Sequence, residues 1–186
     1  MRTIAFSPVM RALAVCIGTL AFASGGHAAG DKAAYDSAKA SAKTAYEAAK
    51  AKCDAMKDNA KDICIAQAKA ARTRTDEHAE VAYKGTPKAR EHAIKEIAEA
   101  DYQVARERCD DKTGNDKDVC VKVAKAAMTN AKADAKASRV AADARMDASK
   151  DKREADYKVA TEKCDSLAGD AKSACISAAK SKYGKT

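Results

Sequence analysis

One unit is written three times in this chain, over residues 46–69, 102–125 and 157–180, and it constrains the fold more than any bulk property does. Aligned without gaps, the copies keep Tyr, Ala three residues later, Cys-Asp at seven and eight, Lys at fifteen, Cys at eighteen, and Ala-Lys at twenty-two and twenty-three. In the first copy these are Tyr46, Ala49, Cys53, Asp54, Lys61, Cys64, Ala68 and Lys69. Chance composition does not preserve spacing over eight columns, so the repeat is structural.

Each copy sets two cysteines eleven residues apart, and that distance decides the topology. On one continuous helix Cys53 and Cys64 would lie ~16 Å apart, whereas a disulfide needs Cα atoms about 4.4–6.8 Å apart. A bridge therefore requires the chain to reverse between them. Asp58-Asn59, Gly114-Asn115 and Gly169-Asp170 occupy the same two columns and suit such a corner. Gly suits a left-handed residue ending one helix, and Asn or Asp suits the cap of the next. The expected bridges are Cys53 with Cys64, Cys109 with Cys120, and Cys164 with Cys175. Zinc sites place cysteines two to four residues apart and redox pairs read Cys-x-x-Cys. Neither spacing occurs here.

The start of the chain sets the compartment in which those thiols oxidise. Arg2 and Arg11 supply positive charge, Ala12 to Ala23 a short apolar run, and Gly26-His27-Ala28 the small residues of a cleavage site. Residues 1–28 thus read as an export signal cut near Ala28 or Ala29. Twelve apolar residues are too few to span a bilayer, which takes ~20. Cys16 leaves with the signal, so six cysteines remain, an even number in an exported chain. The mature region, 29–186, is expected in the periplasm.

Composition then settles the class of fold. After residue 28 there is one Leu (Leu167), five Ile, seven Val and no Phe, too few large apolar side chains to enclose a wide core. Alanine, the best helix former, is abundant, and Pro87 is the only proline of the mature region. The expectation is an all-α chain of elongated antiparallel hairpins, about five helices stapled by three disulfides. They are placed at 31–56, 60–84, 88–112, from 114 for about fifty residues, and 171–183. Gly85, Thr86 and Pro87 mark a further corner, with Thr86 as cap. Within the fourth helix, 131–152 reads as a solvated single helix or as a break near Ser149. In the second helix a heptad seam is expected at Cys64, Ala68, Ala71, Thr75, His78 and Ala82. The third carries Ile94, Ile97, Tyr102 and Val104 as its apolar stripe and Glu91–Lys95 as an i,i+4 pair. The motif tyrosines, seven residues before a cysteine, are expected to pack over the disulfides.

Catalytic chemistry has little to build on. His78 and His92, the only histidines outside the signal, have no ligand-spaced Cys or carboxylate nearby, and no nucleophile motif or phosphate-binding glycine loop occurs. No enzyme activity, cofactor or metal is expected. Without the signal, 33 basic residues stand against 27 acidic ones, interleaved throughout. Net charge rather than lysine count sets a nucleic-acid field, so nucleic acid is not an expected partner.

The stretches AKASAKTAYEAAKAKCD, VKVAKAAMTNAKADAKAS and EADYKVATEKCD, with the repeated Tyr-x6-Cys-x10-Cys unit, resemble a group of alanine- and lysine-rich exported proteins of Gram-negative bacteria. That group is labelled TolA-like, or cell envelope biogenesis protein TolA. The resemblance covers nearly the whole mature chain and implies a periplasmic helical structural or interaction protein, with no activity to transfer. Its partner would be an envelope protein or polymer, with no integral membrane span. Two other readings stand beside it: a stress-related, chaperone-like polyampholyte, and a small binder or inhibitor at an anionic envelope polymer. Alanine seams can pair within a chain or between chains, which leaves a homo-oligomer open.

Overall fold

The computed structural model describes residues 30–185, which form five helices and no strand. They are α1 (Lys32–Cys53), α2 (Asp58–Lys84), α3 (Pro87–Cys109), α4 (Gly114–Cys164) and α5 (Gly169–Tyr183). The expected export signal lies outside the described residues. None of the described helices is long and apolar enough to cross a membrane.

Local chemistry accounts for the helix ends. Asp31 caps α1 by accepting the Ala34 N–H at 3.0 Å. Gly85 ends α2 with φ of 61°, and Thr86 then accepts the Ala89 N–H at 3.1 Å. Pro87 opens α3 at a position with no intrahelical N–H bond to lose. Between Gly114 and Cys164 neither Gly nor Pro interrupts, and α4 runs unbroken for 51 residues, about 76 Å, with no break at Ser149.

The packing is serial. α1 lies on α2, α2 on α3, α3 on the first half of α4, and α5 on its second half, and no other pair of these helices is in contact. The first four helices therefore form an open row one helix thick, with the α4–α5 hairpin projecting from its end. A row has no central volume to fill, which is why a chain with so few large apolar residues can fold this way. Among the described residues the buried positions are alanines, the first cysteine of each pair and Val104, and no polar or charged residue is buried.

Two expected stripes need correction. On α2, Ala71, Thr75 and His78 are exposed, and Ala82, though exposed too, borders the recess against α1 beside Ala79 and Tyr83. The face toward α1 instead follows Cys64, Ala68, Arg72, Ala79 and Tyr83, while Ala70 is buried toward α3. A helix with a neighbour on each side buries two narrow stripes, and a single heptad cannot describe both. On α3 the expected stripe divides for the same reason. Ile94, Ile97 and Tyr102 meet α4, and Val104 borders α2.

Each hairpin is also fastened at its open end, away from its disulfide. Tyr35 stacks on Tyr83 with centroids 5.1 Å apart, and Tyr157 meets Tyr183 edge-on at 6.3 Å. In the α3–α4 hairpin the same place is held by Glu91, bonded to Lys95 on its own helix and to Arg139 across the gap, with Arg139 reaching Asp143 as well. The Lys95 ammonium first, and the Arg139 guanidinium after it, hold the Glu91 carboxyl below the ordinary carboxylate range against the opposing effect of burial. Glu80 and Glu154 are lowered likewise, chiefly by Lys84 and Lys185. A carboxylate whose folded pKa is depressed stabilises the fold above its ordinary pKa and loses that contribution as pH falls through the folded value. The melting temperature is therefore expected to drop as pH is lowered below about 4. Thermal scans over that range that show a flat or rising midpoint would contradict these assignments.

The solvated stretch is shorter than the sequence suggests. Ala135 is buried and Arg139 is paired to α3, so the segment from 131 to 143 still belongs to the row. Residues 144–153 are all exposed, past the start of α3 and before the reach of α5.

Candidate functional site

The feature that occurs three times is the corner, and it is the candidate site. At each one the first helix ends on its own cysteine, Cys53, Cys109 or Cys164. The carbonyl of that cysteine accepts the N–H three residues on, from Met56, Lys112 or Leu167, at 2.9, 3.0 and 3.0 Å. Two residues beyond the first of these N–H groups, or their equivalents, a left-handed residue starts the next helix: Asp58 at φ 50°, Gly114 at 54° and Gly169 at 58°. The chain has then reversed, and Cα atoms of Cys53–Cys64, Cys109–Cys120 and Cys164–Cys175 lie 5.6, 5.7 and 5.7 Å apart, joined as disulfides.

This corrects the expected corner in one respect. The left-handed residue is the first of the second helix rather than the end of the first, and no side chain caps that second helix. Asn59 does something else. Its amide donates to the Glu107 carbonyl at 2.9 Å and to Asp111 Oδ1 at 2.6 Å, tying the first corner to the second. The two disulfides of the row thus stand at the same end, and the third stands at the far end of α4.

The repeated Asp and Lys columns acquire a role that spacing alone did not reveal. Lys61 pairs with Asp54 at 3.1 Å, Lys117 with Asp110 at 2.9 Å, and Lys172 with Asp165 at 2.9 Å. Each Asp sits at a helix C-terminus and each Lys in the first turn of the next helix, both disfavoured by the helix dipoles when unpaired. Across the corner each offsets the other. These pairs are well exposed, so each contributes no more than about 1 kcal/mol. The signal that could have found them was the identity of both columns in all three copies.

The tyrosines depart from expectation. A residue seven before a cysteine stands about 10 Å along the axis from it. The ring accordingly meets the side chain opposite rather than the sulfurs: Tyr46 lies beneath Arg72, 5.6 Å from its guanidinium carbon, and Tyr157 meets Tyr183. Tyr102 and Met128 line a recess between α3 and α4 together with Ile94 and Ile97. In every copy the opposing residue is the twenty-sixth after the tyrosine.

His78 and His92 are exposed, and His92 lies 3.9 Å from Glu96. Among the described residues no group of three or more His, Cys, Asp or Glu is placed to hold a metal ion.

A side chain at a left-handed position carries strain of ~1–2 kcal/mol, and Asp tolerates it better than most. At Gly114 an added Cβ would meet nothing within 4 Å, so Gly114→Ala isolates that strain. It is expected to destabilise by about 1 kcal/mol, and Asp58→Gly to stabilise by less, since Asp bears the conformation better than Ala and glycine frees the unfolded chain. Paired urea melts check both signs.

The fold and its corners define a class: a non-globular row of helical hairpins, generated by an internal repeat and closed by disulfides of the kind that belong to an oxidising compartment. Comparison of the chain with protein-family models, with curated proteins and with solved structures returns no match.

Proposed function

We propose that the chain works in the periplasm as a non-catalytic structural and interaction element of the cell envelope. The observation that carries this reading is the content of the repeat itself. Disulfide, corner ion pair and facing tyrosine are all devices of architecture, and the only thing written three times is a way to hold a helical hairpin shut. The export signal of the sequence and the likeness to alanine- and lysine-rich envelope proteins support the compartment.

Such an element acts by presenting helix faces at fixed separations. About 76 Å of continuous helix separates the corner at Gly114 from the corner after Cys164, which suits a spacer between two contacts. Crosslinking in intact cells, followed by purification from the osmotic-shock fraction, tests both parts. The reading expects the chain in that fraction, with a reproducible envelope protein or polymer attached. Retention in the cytoplasm, or recovery with no reproducible companion, would remove it.

A further inference from the structure

The three hairpins carry the same bridge but not the same support. Within the row α2 and α3 each have a helix on both sides, and Asn59 ties the first corner to the second, so neither of those hairpins opens without disturbing a neighbour. The third has no such backing. Like α1, α5 touches a single helix, but α1 runs for 22 residues, is capped by Asp31 and lies in a seam that buries Ala42, Cys53, Ala68 and Ala79. By contrast α5 runs for 15 residues with no side chain capping it, and among the described residues its hairpin buries Cys164 and Ala179 alone.

A helix of about that length is marginal in water by itself. Ser173, Ser177 and Ser181 weaken it further, because their hydroxyls compete for backbone hydrogen bonds. What keeps α5 on α4 is the bridge with the exposed Asp165–Lys172 pair at one end, and at the other the contacts of Tyr157 with Tyr183 and of Glu154 with Lys185. The bridge is also placed to be reached. Cys164 is fully buried, but Cys175 stands on the wall of an open recess of about 490 Å³ between α4 and α5, shared with Asp156, Lys163 and Lys182. Two ammonium groups outweigh the one carboxylate there, which favours a thiolate in the recess.

We propose that Cys164–Cys175 is a redox switch that docks and releases α5, and that its partner is a dithiol. One thiolate of the partner attacks Cys175 Sγ, the S–S bond breaks, and the Cys164 sulfur leaves as a thiolate and takes up a proton. The partner's second thiolate then attacks its own sulfur in the mixed disulfide, and Cys175 is released as a thiol. The partner loses two electrons and two protons and ends as a disulfide; the chain gains both and ends with two thiols. With the staple open, residues 165–185 leave α4, and the chain entropy they regain favours the reduced state. The Cys53–Cys64 and Cys109–Cys120 pairs resist, because the packed row holds their sulfurs together even when reduced. The proposal concerns the third hairpin alone and stands independently of the role proposed for the whole chain.

Equilibration of the oxidised chain in mixtures of reduced and oxidised dithiothreitol, followed by alkylation and peptide mapping, tests the order. The equilibrium constant for reducing the third pair is expected to exceed that of either other pair about tenfold or more, which is about 30 mV for a two-electron couple. Simultaneous reduction, or earlier loss of either bridge in the row, would overturn the proposal. The conformational half has its own readout. Cys164→Ser with Cys175→Ser should lose about a tenth of the helical circular dichroism, the share held by α5, and open Lys172, Lys180 and Lys182 to trypsin while α1 to α3 stay resistant. A double variant with parental helicity and resistance would show that α5 stays docked without its bridge, and the switch would be gone. Tyr183→Ala, which loosens only the open end, should raise the reduction constant of the third pair severalfold and leave the other two unchanged. No change there would break the link between docking and the bridge.

Discussion

Reduction of the three disulfides is expected to lower the melting temperature by about 15–30 °C and to remove much of the helicity at physiological temperature. Each bridge closes a short loop and constrains the unfolded chain by roughly 2–3 kcal/mol. For a chain of this length each kcal/mol moves the midpoint by about 2–4 °C. Little else in the molecule can compensate. Apart from the bridged cysteines and Val104 its buried positions are alanine, and an alanine methyl contributes far less than the ~1.5–3 kcal/mol of a buried Val or Leu. Circular dichroism melts with and without reductant check this, and coincident curves would show that packing alone holds the hairpins. The structure adds a chemical detail. Cys53, Cys109 and Cys164 are fully buried, while Cys64, Cys120 and Cys175 are partly exposed. An attacking thiolate therefore reaches the second sulfur of each pair, and mixed disulfides trapped early in the reaction should map to Cys64, Cys120 and Cys175.

The second large effect comes from adding apolar volume, not removing it. Ala70→Leu is expected to destabilise by about 2 kcal/mol, because Ala70 is 1% exposed where α2 faces α3 and a larger side chain must push the two helices apart. The displacement breaks contacts between the two helices such as Arg74 with Asp101 and Asn59 with the second corner. Ala71→Leu, one residue on and exposed, is the matched control and should stay within about 0.5 kcal/mol of the parent. Urea melts separate the two. The reverse order would restore the heptad seam through Ala71, Thr75 and His78 in place of the observed one.

Much of the fold was legible before any coordinates, and particular residues show where legibility stopped. Gly85, Thr86 and Pro87 are individually diagnostic, and they do in space what they promise in sequence. The cysteine pairs are diagnostic because covalent geometry admits only a reversal between them. Asp54 and Lys61 were visible as repeated columns, but their pairing across the corner needed the backbone that brings a helix end beside a helix start. Asn59 stands where a local cap is expected, and it bonds instead to a second hairpin some fifty residues away. Long-range partners of a short polar side chain leave no periodic trace.

Hairpin formation, the positions of the corners and the choice of sulfur partners follow from the chain's own text, because each depends on spacing over a dozen residues and on bond lengths that permit no other solution. Which side of each helix is covered, and that the hairpins lie in an open row with the last one thrown outward, was decided only in three dimensions. A helix bearing alanine on nearly every side gains almost the same free energy whichever side it buries. With so little contrast among faces, the outcome is left to neighbours distant in sequence.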